Sequence, residues 1–212
     1  MKTRTYLTRV LALAAAALMS VSASGAMITN GSFEQPGTFT GSFTTLGAGS
    51  SYLTGWTINS GTVDLINGYW QNSDGNYSLD LNGTSAASIS TTVTGLAIGD
   101  PYTVWFDMAG NPEGTPTVKT MDVSLGGAPS TYSFDTTGQS LVNMGWQTMS
   151  LSFTATSNSQ VLTFASTIGG AYGPTLDNVR ITGSGTVPEP SILALMGIGL
   201  VGMGLARKRM KA

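Results

Sequence analysis

Two acidic residues at opposite ends of the central part of the chain have the chemistry for a metal site. Glu34 follows Phe33 in the segment ITNGSFE, and Asp177 is in phase with Val179 and Ile181 in the segment GPTLDNVRITG. A carboxylate at the edge of a core needs a partner. Two carboxylates that meet repel each other unless a cation lies between them, and calcium binds carboxylates without histidine or cysteine. One prediction is therefore a structural calcium ion bound by Glu34 and Asp177.

A second interpretation of Asp177 needs no metal. The nearby Arg180 can pair with the Asp177 carboxylate, or Asp177 can cap a turn. Both alternatives stay open at the level of sequence.

Aromatic side chains beside carboxylates and amides indicate two candidate ligand-binding surfaces, because sugars bind to such combinations. Trp105 alternates with the apolar residues of its segment and shares its side with Asp107. Tyr69 and Trp70 lie together with Asp74 in the polar segment NGYWQNSDGN. Its composition predicts a long loop, where binding residues are common. The alternatives are that Trp105 is covered by a loop and that the loop aromatics fold back as a plug.

Composition excludes several kinds of chemistry. The sequence holds no histidine and no cysteine, so a Ser-His-Asp triad, thiol chemistry and the usual zinc, copper and heme ligands are excluded. Residues 27–186 contain ten acidic residues and only two basic ones, Lys119 and Arg180, which gives a formal charge of −8. Nucleic acid and anionic membrane surfaces are therefore not expected partners.

Carboxylate-dependent glycosidases and lyases need no histidine, so they remain a third-ranked alternative. Four aspartates could in principle supply an acid/base pair, but no spacing singles out two of them: Asp64, Asp74, Asp80 and Asp107. No nucleotide-binding loop or nucleophile motif is present. We therefore expect a protein that is not an enzyme.

Apolar and polar residues alternate along most of the central segment. The alternation is clear in TMSLSFTAT, MDVSL, YTVWFDM and SISTTV, with Gly, Asn, Asp and Pro clusters between such stretches. No part of this segment shows helical periodicity. The pattern predicts an all-β domain at residues 27–186, an antiparallel β-sandwich of eight to ten short strands, most simply a jelly roll.

The N-terminus has the features of a secretory signal peptide. Three basic residues precede an apolar segment, and Ser24 and Ala26 place small side chains at the −3 and −1 positions of a cleavage site. We expect residues 1–26 to be removed by cleavage after Ala26, with Ala23 as the alternative site. An uncleaved anchor helix is the other interpretation.

The C-terminus combines three features in residues 187–212. Val187, Pro188, Glu189 and Pro190 come first, then an apolar stretch at 191–206, and then a basic tail. As a helix that stretch spans about 24 Å, less than the roughly 30 Å of a hydrocarbon core. We expect a transmembrane helix that anchors the chain weakly, with the basic tail on the cytoplasmic side. A permanent single-pass anchor is the alternative.

This order of motif, apolar stretch and basic tail resembles the PEP-CTERM sorting signal. The resemblance implies recognition by an exosortase-type membrane transpeptidase, cleavage near the motif, and transient association with the inner membrane. It also implies delivery to the cell surface or to an exopolysaccharide matrix.

The central segment resembles the choice-of-anchor C family through NGSFE, GWTINSGTVDLI, DGNYSLDLNG, YTVWFDMAGN and LDNVRITG, in that order. That family is similar to plant cell-wall proteins with galactose-binding-like modules. The resemblance implies a galactose-binding-like jelly roll and supports a calcium ion at Glu34 and Asp177. The function we expect is a non-catalytic, carbohydrate-binding surface or matrix protein. The alternative is a structural or adhesive matrix protein without a specific ligand.

Overall fold

The computed structural model describes residues 25–37 and 39–183, which form eleven strands in two antiparallel sheets. The strands are β1 Phe43–Gly47, β2 Thr57–Ser60, β3 Thr62–Asn67, β4 Tyr77–Asp80, β5 Ser88–Thr94, β6 Pro101–Gly110, β7 Val118–Leu125, β8 Ser130–Asp135, β9 Gln147–Thr154, β10 Ser159–Ser166 and β11 Pro174–Gly183. One sheet has the order β1-β3-β4-β11-β6-β9, and the other has the order β2-β5-β10-β7-β8. The predicted antiparallel jelly-roll sandwich is confirmed, with eleven strands in the described residues and not the eight to ten that we expected.

The alternation in the sequence sets which face of each strand is buried. In β6, Val104, Phe106 and Met108 are fully buried, whereas Thr103 and Trp105 are partly exposed. The apolar residues of β9 are only half-buried because β9 is the edge strand of its sheet.

Aromatic rings join the two sheets in the core. The Phe164 ring lies edge-on to Phe106, with centroids 5.1 Å apart, and is tilted against Trp56 at 6.1 Å. Trp56 also packs against the buried ring of Phe33 at 5.2 Å. Phe33 has a φ of 59°, which is uncommon for a large side chain, and its burial in the core compensates for that strain. Residues 25–185 form a compact unit of their own that contains this whole core.

The last strand lies in the middle of the six-stranded sheet and bears much of the candidate site. β11 pairs with β4 on one side and β6 on the other, and its register shifts between Asp177 and Arg180. Asn178 lies within this bulge and has a φ of 50°. The bulge changes the alternation at this point, so Asp177 and Arg180 both lie near Asp107 of β6.

Among the described residues, no helix is long and apolar enough to cross a membrane. The predicted signal peptide, apart from its last two residues, and the whole predicted sorting segment with its helix lie outside the described residues.

Candidate functional site

The loop between β3 and β4, residues 68–76, is held by a buried carboxylate of the last strand. Asp177 is fully buried, and its Oδ2 accepts hydrogen bonds from the backbone N–H groups of Ser73 and Asp74, both at 2.9 Å. Burial raises the pKa of Asp177 to about 7, the nearby Asp74 charge adds to the rise, and the backbone hydrogen bonds oppose it. Asp177 is therefore an anchor of this loop.

Glu34 holds the other end of the same loop. Its Oε1 accepts hydrogen bonds from the backbone N–H groups of Asn76 at 2.7 Å and Tyr77 at 2.8 Å. The Asn76 side-chain amide donates to Oε2 at 3.3 Å. Glu34 and Asp177 thus bind successive parts of one loop, each through backbone N–H groups.

These two carboxylates fit a calcium ion poorly in this arrangement. Three hydrogen-bond donors reach Glu34 and three reach Asp177, which leaves few oxygen lone pairs for a metal. Within residues 25–37 and 39–183, no group of three or more acidic side chains could hold a metal ion. Calcium at Glu34 and Asp177 stays a prediction.

Asp107 differs from the exposed acid that we expected beside Trp105. It is only 6% exposed, because the loop after β3 and the bulge of β11 cover it. Its carboxylate accepts hydrogen bonds from Ser73 Oγ at 2.6 Å, Thr148 Oγ1 at 2.7 Å and Asn178 Nδ2 at 2.9 Å. Burial alone would raise the pKa of Asp107, but these hydrogen bonds and the Arg180 charge hold it below its usual value. Asp107 is a third anchor of the loop.

Trp70 and Asp74 also have partners within the fold. Trp70 is 4% exposed, and its Nε1 donates to Ser78 Oγ at 2.9 Å, so this aromatic residue of the loop is a plug in the core. This is the plug that we gave as the alternative interpretation, and the binding role of Trp70 stays a prediction. Asp74 is exposed and accepts a hydrogen bond from Ser32 Oγ at 2.7 Å.

Trp105 lies on the outer face of the six-stranded sheet, as the alternation predicts. Its side chain is partly exposed, and Nε1 donates to Thr182 Oγ1 at 2.9 Å. The residues directly across from it on the neighbouring strands are Arg180 and Ser150. Thr103 lies one pair further along, hydrogen-bonded to Ser152 at 3.0 Å. We call these six residues the Trp105 surface.

Tyr69 is part of an aromatic cluster with an exposed surface. Its ring lies edge-on to Phe43, with centroids 5.3 Å apart, and its hydroxyl is hydrogen-bonded to Glu113, whose neighbour Gly114 lies against Tyr172. Phe43 is 45% exposed and Tyr172 is 41% exposed. We call Phe43, Tyr69 and Tyr172 the aromatic strip.

A carboxylate lies beside the aromatic strip. The Tyr69 hydroxyl donates to Glu113 Oε2 at 2.8 Å, and this hydrogen bond raises the pKa of Tyr69, with burial and the Glu113 charge adding to it. Gly114 lies against Tyr172, because a Cβ on Gly114 would be 2.0 Å from Tyr172 Cδ2. The strip therefore combines exposed ring surface with hydrogen-bonding groups.

A buried aspartate links the loop of Glu113 to the loop of Tyr172. Asp80 is 1% exposed; its Oδ2 accepts from Asn111 Nδ2 at 2.9 Å and its Oδ1 from the Gly173 backbone N–H at 3.0 Å. Asn111 Oδ1 in turn accepts from the Glu113 backbone N–H at 3.0 Å. Asp80 is thus linked both to the loop of Glu113 and to the residue after Tyr172.

Most residues of the aromatic strip and its polar edge were not predicted from the sequence. Tyr69 was among the predicted binding residues, but Phe43, Glu113 and Tyr172 were not. The available signals were weak: Tyr172 follows two glycines and an alanine, and Glu113 lies in the turn-forming segment GNPEG.

A model of the family described as "Protein of unknown function (DUF642)" matches residues 26–182. The chain belongs to this family. A model of the PEP-CTERM protein-sorting motif matches residues 186–209, next to the DUF642 domain. The predicted sorting motif is therefore confirmed, and it implies export and sorting to the cell surface.

One curated relative of the DUF642 domain is Halomucin of Haloquadratum walsbyi. It is 33% identical over 167 residues, which cover 74% of this chain. The chain spans only 2% of the length of Halomucin.

The DUF642 domain is also similar to solved structures. CBM35 from Paenibacillus barcinonensis is 19% identical with a TM-score of 0.45, over 66% of this chain and 99% of that one. TmCBM61, solved in complex with β-1,4-galactotriose, is 16% identical with a TM-score of 0.46, over 76% of this chain and 100% of that one. These similarities concern the fold alone.

Proposed function

We propose that this chain is a surface protein whose DUF642 domain binds a polysaccharide without cleaving it. The observation that carries this proposal is the aromatic strip beside Glu113. Sugar rings stack their apolar faces on aromatic side chains, and their hydroxyl groups need donors and acceptors at the edge of that contact. Phe43 and Tyr172 offer the ring surface, and Glu113 together with the Tyr69 hydroxyl offers the polar edge.

The network beneath the strip supports binding because it holds the contact groups in place before a ligand arrives. Asp80 is linked to the loop of Glu113 and to the loop of Tyr172, so little conformational freedom remains to be lost at these two residues on binding. Tyrosine and phenylalanine also have only two side-chain torsions each, which keeps the entropy cost of the contact low.

The positions of the carboxylates favour binding over catalysis. Asp80 is buried and hydrogen-bonded to Asn111 and Gly173, and Asp107 is buried by three hydrogen-bond donors. Asp64 accepts a hydrogen bond from Thr45 Oγ1 at 2.5 Å, and Asp74 accepts one from Ser32. A glycosidase needs two carboxyl groups that flank one bond in an open cleft, and these four aspartates have partners within the fold instead.

The sorting motif supports a place for this activity outside the cell. We infer that an exosortase-type transpeptidase processes the chain near residues 187–190 after transient anchoring in the inner membrane. The DUF642 domain then acts at the surface or in an exopolysaccharide matrix, where polysaccharides are the abundant polymers. A structural or adhesive matrix role without a ligand is the alternative.

Affinity electrophoresis of residues 25–185 through gels with a panel of soluble neutral and acidic polysaccharides tests the proposal. Retardation by at least one polymer, with no reducing ends released from it on incubation, is the expected result. Unretarded migration in every gel would contradict binding and favour the structural role. Release of reducing ends would contradict the non-catalytic part.

A further inference from the structure

We propose that the Trp105 surface is a second saccharide site and that it selects sugars that carry a carboxylate. This inference rests on the proposed saccharide-binding function and assigns a ligand class to a surface that shares no residue with the aromatic strip. Trp105 provides partly exposed ring surface, and Thr103, Ser150, Ser152 and Thr182 surround it with hydroxyl groups. Such a combination suits a sugar ring.

The charge of this surface comes from Arg180. Lys119 and Arg180 are the two basic residues between 27 and 186. Lys119 is fully buried, and its Nζ donates to the backbone carbonyls of Gly114 and Tyr172, both at 2.7 Å. In the described part of the chain, Arg180 is therefore the basic side chain that solvent reaches, with 43% of its side chain exposed. It lies directly across from Trp105.

The guanidinium of Arg180 retains its capacity to bind an anion. Among the described residues, its contacts involve only Nη1, which donates to the Asn178 carbonyl at 3.0 Å and lies 3.8 Å from Asp107 Oδ1. Asp107 already accepts three shorter hydrogen bonds from Ser73, Thr148 and Asn178. The remaining N–H groups of the planar guanidinium can bind a carboxylate in bidentate fashion.

The negative charge of the domain does not cancel this attraction. Charges are screened over about 8 Å at physiological ionic strength, so a ligand carboxylate at Arg180 is affected mainly by its near neighbours. The closest acid is Asp107, which is buried and hydrogen-bonded. Elsewhere on the domain, an acidic sugar meets no accessible cation within the described residues.

An open depression extends the Trp105 surface towards the end of the sheet. Its volume is about 570 Å³, and Thr103, Ser152 and Thr182 belong to its lining. The stacked rings of Tyr102 and Phe153, with centroids 5.7 Å apart, form part of its wall. There is room here for a sugar unit next to the one over Trp105, so a short oligosaccharide is the ligand that fits.

Calorimetric titration of residues 25–185 with two matched ligand pairs tests this inference. The pairs are trigalacturonate with α-1,4-galactotriose, and β-1,4-triglucuronate with cellotriose; within each pair only the C6 carboxylate differs. We expect one acidic ligand to bind at least 10-fold more tightly than its neutral partner. Arg180→Gln should remove that preference, and Arg180→Lys should restore only part of it, because an ammonium lacks the planar fork.

Two controls separate a local site from bulk charge and from misfolding. Val161 is exposed on the other sheet, so Val161→Arg changes the net charge by one unit, opposite in sign to Arg180→Gln, far from the Trp105 surface and should leave the acidic preference unchanged. Thermal melting confirms that each variant is folded. Equal affinity for acidic and neutral partners, unchanged in Arg180→Gln, would overturn this inference while the proposed function stands. No binding of any ligand, together with unretarded migration in all polysaccharide gels, would overturn both.

Discussion

Gly75 lies so close to the Glu34 carboxylate that a side chain at position 75 would displace it. A Cβ on Gly75 would lie 2.3 Å from Glu34 Oε1 and 2.4 Å from its carboxyl carbon. The Glu34 carboxylate cannot move away without losing its hydrogen bonds to Asn76 and Tyr77. Gly75 also has a φ of +58°, which favours glycine.

Substitution of Gly75 therefore provides a sensitive test of the loop anchor. We expect Gly75→Ala to lower the free energy of unfolding by about 1–2 kcal/mol through backbone strain, and by at least about 1 kcal/mol more through the lost Glu34 contacts. Gly68 is the matched control, since its φ is +74° and a Cβ there meets nothing within 4 Å. Urea unfolding of both variants measures the difference. Equal losses for Gly68→Ala and Gly75→Ala would show that Glu34 does not hold the loop.

The Glu34 carboxylate can also be removed directly. We expect Glu34→Ala to cost about 2 kcal/mol, because two backbone N–H groups lose a charged acceptor. Gln35→Ala is the control, since Gln35 is exposed and only its backbone N–H is hydrogen-bonded within the described residues. A loss of the same size in Gln35→Ala would contradict the anchoring role.

Melting with Ca²⁺ and with EGTA decides whether a cation contributes to the same anchor. Because three hydrogen-bond donors reach each of the Glu34 and Asp177 carboxylates, we expect equal melting temperatures under both conditions. A rise of several degrees with Ca²⁺, lost in Glu34→Gln or Asp177→Asn, would instead support the calcium ion predicted from the sequence.

Stability should depend on pH because burial raises the pKa of Asp80 and of Asp177 to about 7. The Asp64 charge adds to the rise in the pKa of Asp80, and the Asp74 charge adds to the rise in the pKa of Asp177. Lys119 also lies near Asp80. Between about pH 4 and pH 7 the folded state then binds more protons than the unfolded chain. The free energy of unfolding should therefore fall as the pH rises through this range.

Urea unfolding at pH 4.5, 5.5, 6.5 and 7.5 measures this dependence. Asp80→Asn should flatten the profile, because the amide has no proton to lose. Asp107 contributes in the opposite sense: its lowered pKa gives stability that is lost only as the pH falls below about 4. Stability that increases from pH 4.5 to 7.5 would contradict the raised pKa values.

Trp70 should contribute to stability and not to ligand binding. Trp70→Ala removes a buried ring and should cost about 3–5 kcal/mol. Trp70→Phe keeps an aromatic ring but loses the hydrogen bond to Ser78, so the free energy of unfolding should fall by about 1–2 kcal/mol. The affinity of Trp70→Phe for a bound polysaccharide should stay within twofold of the natural chain. A large loss of affinity in a folded Trp70→Phe variant would contradict this expectation and support the predicted binding role.

Local patterns made the sandwich predictable. The alternation in YTVWFDM gives the buried face of β6, and it also places Trp105 on the outer face. The position of Asp177 was not predictable from its phase with Val179, because the bulge places Asp177 across from Asp107 on the outer face, under the loop after β3. Its partners were not predictable either, because the N–H groups of Ser73 and Asp74 reach it from about 100 positions earlier in the sequence.

The aromatic strip was not predictable for the same physical reason. Phe43, Tyr69 and Tyr172 come together only through the order of the strands and the path of two loops, which no local pattern specifies. Asp107 had the right phase for an exposed acid, but a distant loop covers it. Sequence periodicity indicates the face of a strand, and it does not indicate what packs on that face.

The affinity of the aromatic strip for a polysaccharide tests the central claim most directly. A polymer that retards residues 25–185 is titrated against the natural chain, Tyr172→Ala, Phe43→Ala and the double variant, with Val142→Ala as a control because Val142 is the most exposed large apolar residue of the described chain. We predict that the affinity for the polysaccharide falls at least about 10-fold in each single variant of the strip, falls further in the double variant, and does not change in the control. Unchanged affinity in a folded double variant would contradict the claim that the strip is the binding site.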